Sequence, residues 1–171
     1  MGWLVAPVVL AVLAAPSWAF AQTPVQGSPR VRGSSAGIVE AIEQAIQQSP
    51  TFNQIVADIT TTDGIVYVHY GQCGRNVRAC LLLAVTLAGP NRMLHIRVDR
   101  RRSGRDLMVA IGHELSHALE LLNEPGVVDD TTAQNFYRRN AAIERYNFET
   151  EAAIEIELKI DKELRQWSKR Q

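Results

Sequence analysis

The chain has 171 residues, with 18 basic and 18 acidic side chains and two cysteines. That length suits one domain with one core. The charge balance excludes electrostatic capture of nucleic acid or of an acidic membrane surface as an organising function, and no long like-charged tract is present.

The amino terminus, "LVAPVVLAVLAA", is apolar and is followed by Pro16, Ser17 and Ala19-Phe20-Ala21. Small residues at Ala19 and Ala21 predict a signal peptide over 1–21, cleaved after Ala21. An uncleaved anchor is the competing reading, but the run is short for a span of about 20 residues and holds Pro7. Export to the periplasm or the extracellular space follows, with no stable membrane span after cleavage. Residues 22–33, "QTPVQGSPRVRG", are rich in Pro, Gly and polar groups and read as a disordered tether. A single domain is expected over 34–171.

Ser34 or Ser35 caps a helix with Ile38, Ala41, Ile42, Ala45 and Ile46 on one stripe. Ser49-Pro50 ends it and starts a second, carrying Phe52, Ile55, Val56 and Ile59. After the Asp63-Gly64 turn the period changes. "IVYVHY" (Ile65–Tyr70), "CLLLAVTLA" (Cys80–Ala88) and "RMLHIRVD" (Arg92–Asp99) read as three strands, with a Gly89-Pro90-Asn91 turn between the last two. The sheet is expected to be three-stranded and mainly antiparallel. Cys73 and Cys80 bracket a Gly-containing loop between the first two strands, and in an exported chain they read as one disulfide. Six intervening residues do not match the short spacing of zinc knuckles. "DRRRSGR" (Asp99–Arg105) reads as a solvated strand–helix loop.

Ser103-x-x-Asp106 resembles a capping box at the start of a helix that runs to about Asn123, where Glu124-Pro125-Gly126 stops it. Asp129 or Asp130 can cap a further helix through Phe136 to Arg145, and a last helix is expected from about Phe148 to Trp167. Helices, three strands, then helices make an α+β domain.

The third helix carries the chemistry. From Leu107 to Leu119 its only formally charged side chain is Glu114, between His113 and His117 in an otherwise apolar segment. His113-Glu114-Leu115-Ser116-His117 is an H-E-x-x-H arrangement. Residues four apart lie on one helical face, so both imidazoles can reach one ion while Glu114 stands beside it. Buried imidazoles and a buried glutamate each need partners, and a dication satisfies all three. Glu114 then has the position of a general base for an attacking water. Gly112 is expected to leave room beside the first ligand. The competing reading is a helix with two hydrogen-bonded core histidines and no metal.

A third ligand must come from elsewhere in the chain. His69 and His95 lie on strands and read as surface or rim residues. "FETEAAIEIELKI" offers Glu149, Glu151, Glu155 and Glu157. Glu149 lies on the stripe of Tyr146, Ala153, Ile156, Ile160, Leu164 and Trp167, which selects it, with Glu151 in reserve. Glu155 faces Lys159 at helix-pair spacing. Tyr137, Tyr146, His95 or an arginine could steady an oxyanion.

"GHELSHALE" followed by "FETEAA" resembles the Phe-Glu-x-x-Ala-Asp and Glu-x-Glu-Ala-Asn patterns of CAAX-protease-like and ImmA-like metallopeptidases. The chain looks like a small exported zincin of the gluzincin type, over roughly Arg92 to Ile160. The resemblance implies a zinc-dependent peptidase with His113, His117 and Glu149 as ligands, Glu114 as base and a peptide or protein as substrate. Ala152 matches the family's small residue. Ala153 stands where those families often carry an acid that supports a ligating histidine, a role left here to Asp129, Asp130 or a backbone carbonyl. By analogy with zincins, the strand around Leu94–Val98 would pair an extended substrate. The alternative is a non-catalytic exported scaffold or binding domain that keeps the same core.

Overall fold

The structure is a computed structural model that describes Met1 and residues 30–75, 77–140, 142–144 and 147–171. The expected signal peptide and cleavage site lie outside the described residues, as does the tether up to residue 29. The described residues form, in order, β1 (Val31–Gly33), α1 (Ala36–Gln48), α2 (Pro50–Thr60), β2 (Gly64–Tyr70), β3 (Ala79–Ala88), β4 (Asn91–Val98), α3 (Gly104–Leu122), α4 (Asp130–Asn140), β5 (Ala142–Glu144), β6 (Asn147–Glu149) and α5 (Glu151–Ser168). The α+β class holds. No helix of the described residues is long and apolar enough to cross a membrane.

The main sheet departs from expectation. It has four strands in the order β1-β2-β4-β3, with β1, β2 and β4 parallel and only β3 antiparallel to its neighbour. The fourth strand comes from the end of the expected tether, where Val31, Arg32 and Gly33 pair with Val66, Tyr67 and Val68. Val31 is buried, so this short segment gains both a ladder and a core contact. A β-hairpin joins β3 to β4 through Gly89, whose φ of 59° lies in the left-handed region that favours glycine. β4 then inserts beside β2, which alternation along single strands cannot reveal.

One face of the sheet is apolar. Val66, Val68, Leu94, Ile96 and Val98 are buried, and α3 packs on β2, β3 and β4. The other helices surround α3, which also meets α1, α2 and α5. That position explains the helix composition: every residue from Leu107 to Ala118 is buried, the two histidines and Glu114 included. Gly112 is the contact point. A Cβ there would lie 2.5 Å from Ile160 Cδ1 and 3.1 Å from Phe52 Cδ2. Its absent side chain therefore admits α5 and α2 to α3 and makes no room beside His113.

Local signals set several helix ends. Ser49 Oγ accepts from Phe52 N at 3.0 Å at the start of α2, and Glu163 of α5 clasps the same turn through Ser49 Oγ and Thr51. Ser103 occupies the N-cap of α3 without making the side-chain bond of a capping box. Asp106 instead pairs with Arg102 at 2.9 Å and Arg78 at 3.6 Å. The other end of α3 is closed by Arg92, which is 5 % exposed. Its guanidinium donates to the carbonyls of Leu121, Leu122, Glu124 and Val127 and to the Asp63 carboxylate. Carbonyls that a helix terminus leaves unpaired are thereby satisfied. Asp129 accepts from Thr132 N at 2.8 Å ahead of α4, which ends at Asn140 rather than Arg145.

The final helix also starts later than expected. Thr150 is its N-cap, accepting from Ala153 N at 3.1 Å, and β5 and β6 form a small antiparallel hairpin before it. The apolar stripe is real from Ala153 onward, with Ile160 and Leu164 buried. Glu149 is not on it.

Candidate metal centre

His113 and His117 stand one turn apart on α3, with ring centroids 4.8 Å apart and planes nearly perpendicular. Glu149, the last residue of β6, faces them from the hairpin. Its Oε2 lies 3.2 Å from His113 Nε2 and 3.8 Å from His117 Nε2. The donor atoms of the three residues all fall within 4.8 Å of one another, so the group could hold a metal ion. Two nitrogens and an oxygen bonded to one zinc ion at roughly 2.0–2.2 Å would lie about 3.4 Å apart in tetrahedral geometry, between the two distances from Glu149 Oε2 to the imidazole nitrogens.

Unsatisfied atoms point the same way. His117 Nε2 and Glu149 Oε2 are buried and make no well-aligned hydrogen bond among the described residues, although Glu149 Oε2 lies in ion-pair range of both imidazoles. Buried polar atoms seldom stay unpaired, and each such atom is a sign of a missing partner. Two borderline nitrogen donors and a hard oxygen converging on one point fit a divalent cation.

The reverse sides of both imidazoles are also held. His117 Nδ1 lies 3.0 Å from Glu120 Oε2 in a hydrogen bond. His113 Nδ1 lies 2.9 Å from Glu157 Oε2, off the line of the ring N–H, so this contact is an ion pair more than a hydrogen bond. Carboxylates behind Nδ1 keep the proton there and turn Nε2 toward the cluster. These two residues, and not Asp129, Asp130 or a backbone carbonyl, support the histidines. The sequence reading missed both roles. Glu120 was legible, three positions after His117 on the same helix. Glu157 was not, because its approach to His113 depends on how α5 packs on α3.

Charges follow from these contacts. Burial lowers the His113 pKa, and the carboxylates of Glu149 and Glu157 outweigh it, carrying the group up to about 10. Burial likewise opposes Glu120 and Glu149 at His117, which ends at about 9. The two imidazoles hold Glu149 down at about 2. His113, followed by Arg78, does the same for Glu157, also at about 2. Glu114 moves the other way: burial raises its pKa against the pull of His113 and His117.

Glu114 sits beside the cluster with its Oε2 accepting from Leu81 N at 2.6 Å. Leu81 belongs to β3, the sheet edge next to the site. Arg78 O accepts from Asp99 N, so by alternation Cys80 and Leu82 aim their backbone groups at β4 while Ala79 and Leu81 aim theirs outward. β4 lies between β2 and β3, with both its edges occupied. The strand available to an extended chain is thus β3, correcting the expectation for Leu94–Val98.

A cleft of about 470 Å³ opens over these groups, bounded by β3, α3, Tyr137, Phe148 and the start of α5. Tyr137 OH is committed to the His117 carbonyl at 2.9 Å. His95 lies on the opposite sheet face, stacked with Tyr67 and 3.1 Å from His69. The Tyr146 side chain lies outside the described residues. Arg78 is the arginine on the cleft wall. Glu151 and Glu155 are exposed on α5. Cys73 and Cys80 form a disulfide at the mouth of the cleft.

No protein-family model, curated protein or solved structure matches this chain.

Proposed function

We propose that this protein is an exported zinc-dependent peptidase with His113, His117 and Glu149 as ligands and Glu114 as general base. One observation carries the reading: two histidine nitrogens and a carboxylate oxygen, from elements far apart in sequence, converge beside a buried glutamate that a metal site alone does not require. The H-E-x-x-H spacing and the likeness to gluzincin-type zincins agree with it. The disulfide is compatible with export.

When bound, zinc supplies Lewis acidity toward a water and a peptide carbonyl. Glu120 and Glu157 keep Nδ1 of each imidazole protonated so that Nε2 presents its lone pair. Burial makes Glu114 a stronger base than an ordinary carboxylate. Leu81 N–H fixes one Glu114 oxygen, which leaves the other to take a proton from the attacking water and deliver it to the departing amine. A substrate segment lying along β3 would find the outward-facing backbone groups there that Glu114 does not occupy.

The second reading is a non-catalytic scaffold or binding domain. The Leu81–Glu114 bond favours it, because it gives Glu114 a structural task tying α3 to β3 without any chemistry. Glu114→Gln separates the two. Glutamine can still accept from Leu81 N but cannot act as a base, so a peptidase loses turnover on a mixed peptide library and keeps its zinc. A scaffold shows no turnover before or after the substitution.

A further inference from the structure

The ring closed by the disulfide carries Arg78 two positions before Cys80. Arg78 leads directly to the metal cluster. Its Nη2 pairs with Glu157 Oε1, and the other oxygen of that carboxylate lies 2.9 Å from His113 Nδ1. Its Nη1 lies 3.6 Å from Asp106 in the first turn of α3. One guanidinium therefore bridges the helix that bears the histidines and the helix that bears Glu157.

The terminal torsion of a glutamate is soft, so one contact does not fix the plane of its carboxylate. Arg78 supplies the second contact. The backbone that presents Arg78 is fixed on one side by the ladder to β4, through Arg78 O and Asp99 N, and on the other by the covalent ring. The side chain is 41 % exposed, so it is held by its two ion pairs and by the backbone that presents it.

We propose that Arg78 is a positioning residue for His113, acting through Glu157, and that the Cys73–Cys80 disulfide holds it in place, so that metal affinity depends on the oxidation state of this pair. The proposal rests on the cluster being a metal site and not on peptidase activity. Reduction by a dithiol transfers two electrons and two protons to the bridge. The dithiol closes to its own disulfide, and Cys73 and Cys80 are left as thiols with the ring open.

Zinc affinity is measured by competition with a chromophoric chelator on the oxidised mature protein, and the visible spectrum of the cobalt form reports ligand geometry. Arg78→Met weakens zinc about tenfold, within the range seen when outer partners of ligating histidines are removed, and Arg78→Lys restores most of it. The Arg78→Met/Glu157→Gln double variant binds about as weakly as Glu157→Gln alone, as expected if one acts through the other. Cys73→Ser/Cys80→Ser, folded by circular dichroism, weakens zinc several-fold and shifts the cobalt bands. Wild-type affinity in Arg78→Met, or simple addition of the two single effects, overturns the positioning role. Wild-type affinity in the folded double-serine protein overturns the redox dependence. A wild-type protein that binds no zinc overturns the metal reading and this proposal together.

Discussion

Glu120 and Thr150 are joined by a 2.5 Å hydrogen bond from the threonine hydroxyl to Oε1. The other oxygen of Glu120 holds His117, and the same hydroxyl caps α5. Because Thr150 directly follows Glu149, this bond sets the distance between the two histidines and the third donor. Thr150→Ala is expected to cost about 1 kcal/mol as a lost cap, and to weaken metal binding by roughly 10–100-fold as lost outer support. Thermal melts and chelator competition measure the two effects separately. Unchanged metal affinity would show that Glu149 is positioned without Thr150.

The three glutamates nearest the question have distinct expected phenotypes. Glu149→Ala loses metal and activity together. Glu114→Gln keeps metal and loses activity. Glu151→Ala, at an exposed first-turn position, changes stability by about half a kcal/mol or less and leaves metal content alone. Elemental analysis of the purified variants, beside His113→Ala, checks the set. An empty site in Glu151→Ala and a full one in Glu149→Ala would reverse the assignment.

The metal-free protein has a pH profile set by the same contacts. His113 and His117 rise from 6.5 to about 10 and about 9, so their contribution to stability is complete below 6.5 and is lost as pH climbs through those values. Glu149 falls from 4.5 to about 2, so its contribution is complete above 4.5 and is lost as pH drops through the lower value. Melting temperature should therefore be highest between these limits. Zinc needs neutral imidazoles and displaces their protons. Its affinity should rise across the alkaline range where metal-free stability falls, with proton release visible by calorimetry in two buffers. A flat metal-free profile from neutral to alkaline pH would contradict the ion-pair account.

Arg92→Met should destabilise the fold by about 3 kcal/mol, since it strips partners from buried carbonyls at the end of α3 and leaves Asp63 without its cation. For a domain of this size the melting temperature should drop by roughly 10 °C. Denaturant melts that match wild type would mean water replaces the guanidinium.

What could be read from sequence was what depends on neighbours along the chain. His113, Glu114 and His117 follow from helical spacing, and the Ser49-Pro50 break follows from a cap and a fixed φ. The Cys73–Cys80 pairing follows from a short loop. Glu149 precedes the helical stripe that points to it in the sequence, which begins only at Ala153. Its place came from a hairpin too short for periodicity to register. The position of β4 between β2 and β3, the strand formed by Val31–Gly33 and the contact of Glu157 with His113 all join distant segments. Nothing local to those residues states the partner.

The strand order has a kinetic consequence. β2 and β3 follow one another in the chain but never touch, because β4 occupies the place between them. A nascent chain that ends before Asn91 can pair β1 with β2 but has no strand for the other edge of β2 and no partner for β3. Parallel pairs must wait for loop closure over many residues before any ladder bond offsets the lost entropy. Assembly should therefore proceed late and in one cooperative step, with α3 docking onto a sheet completed only just ahead of it in synthesis.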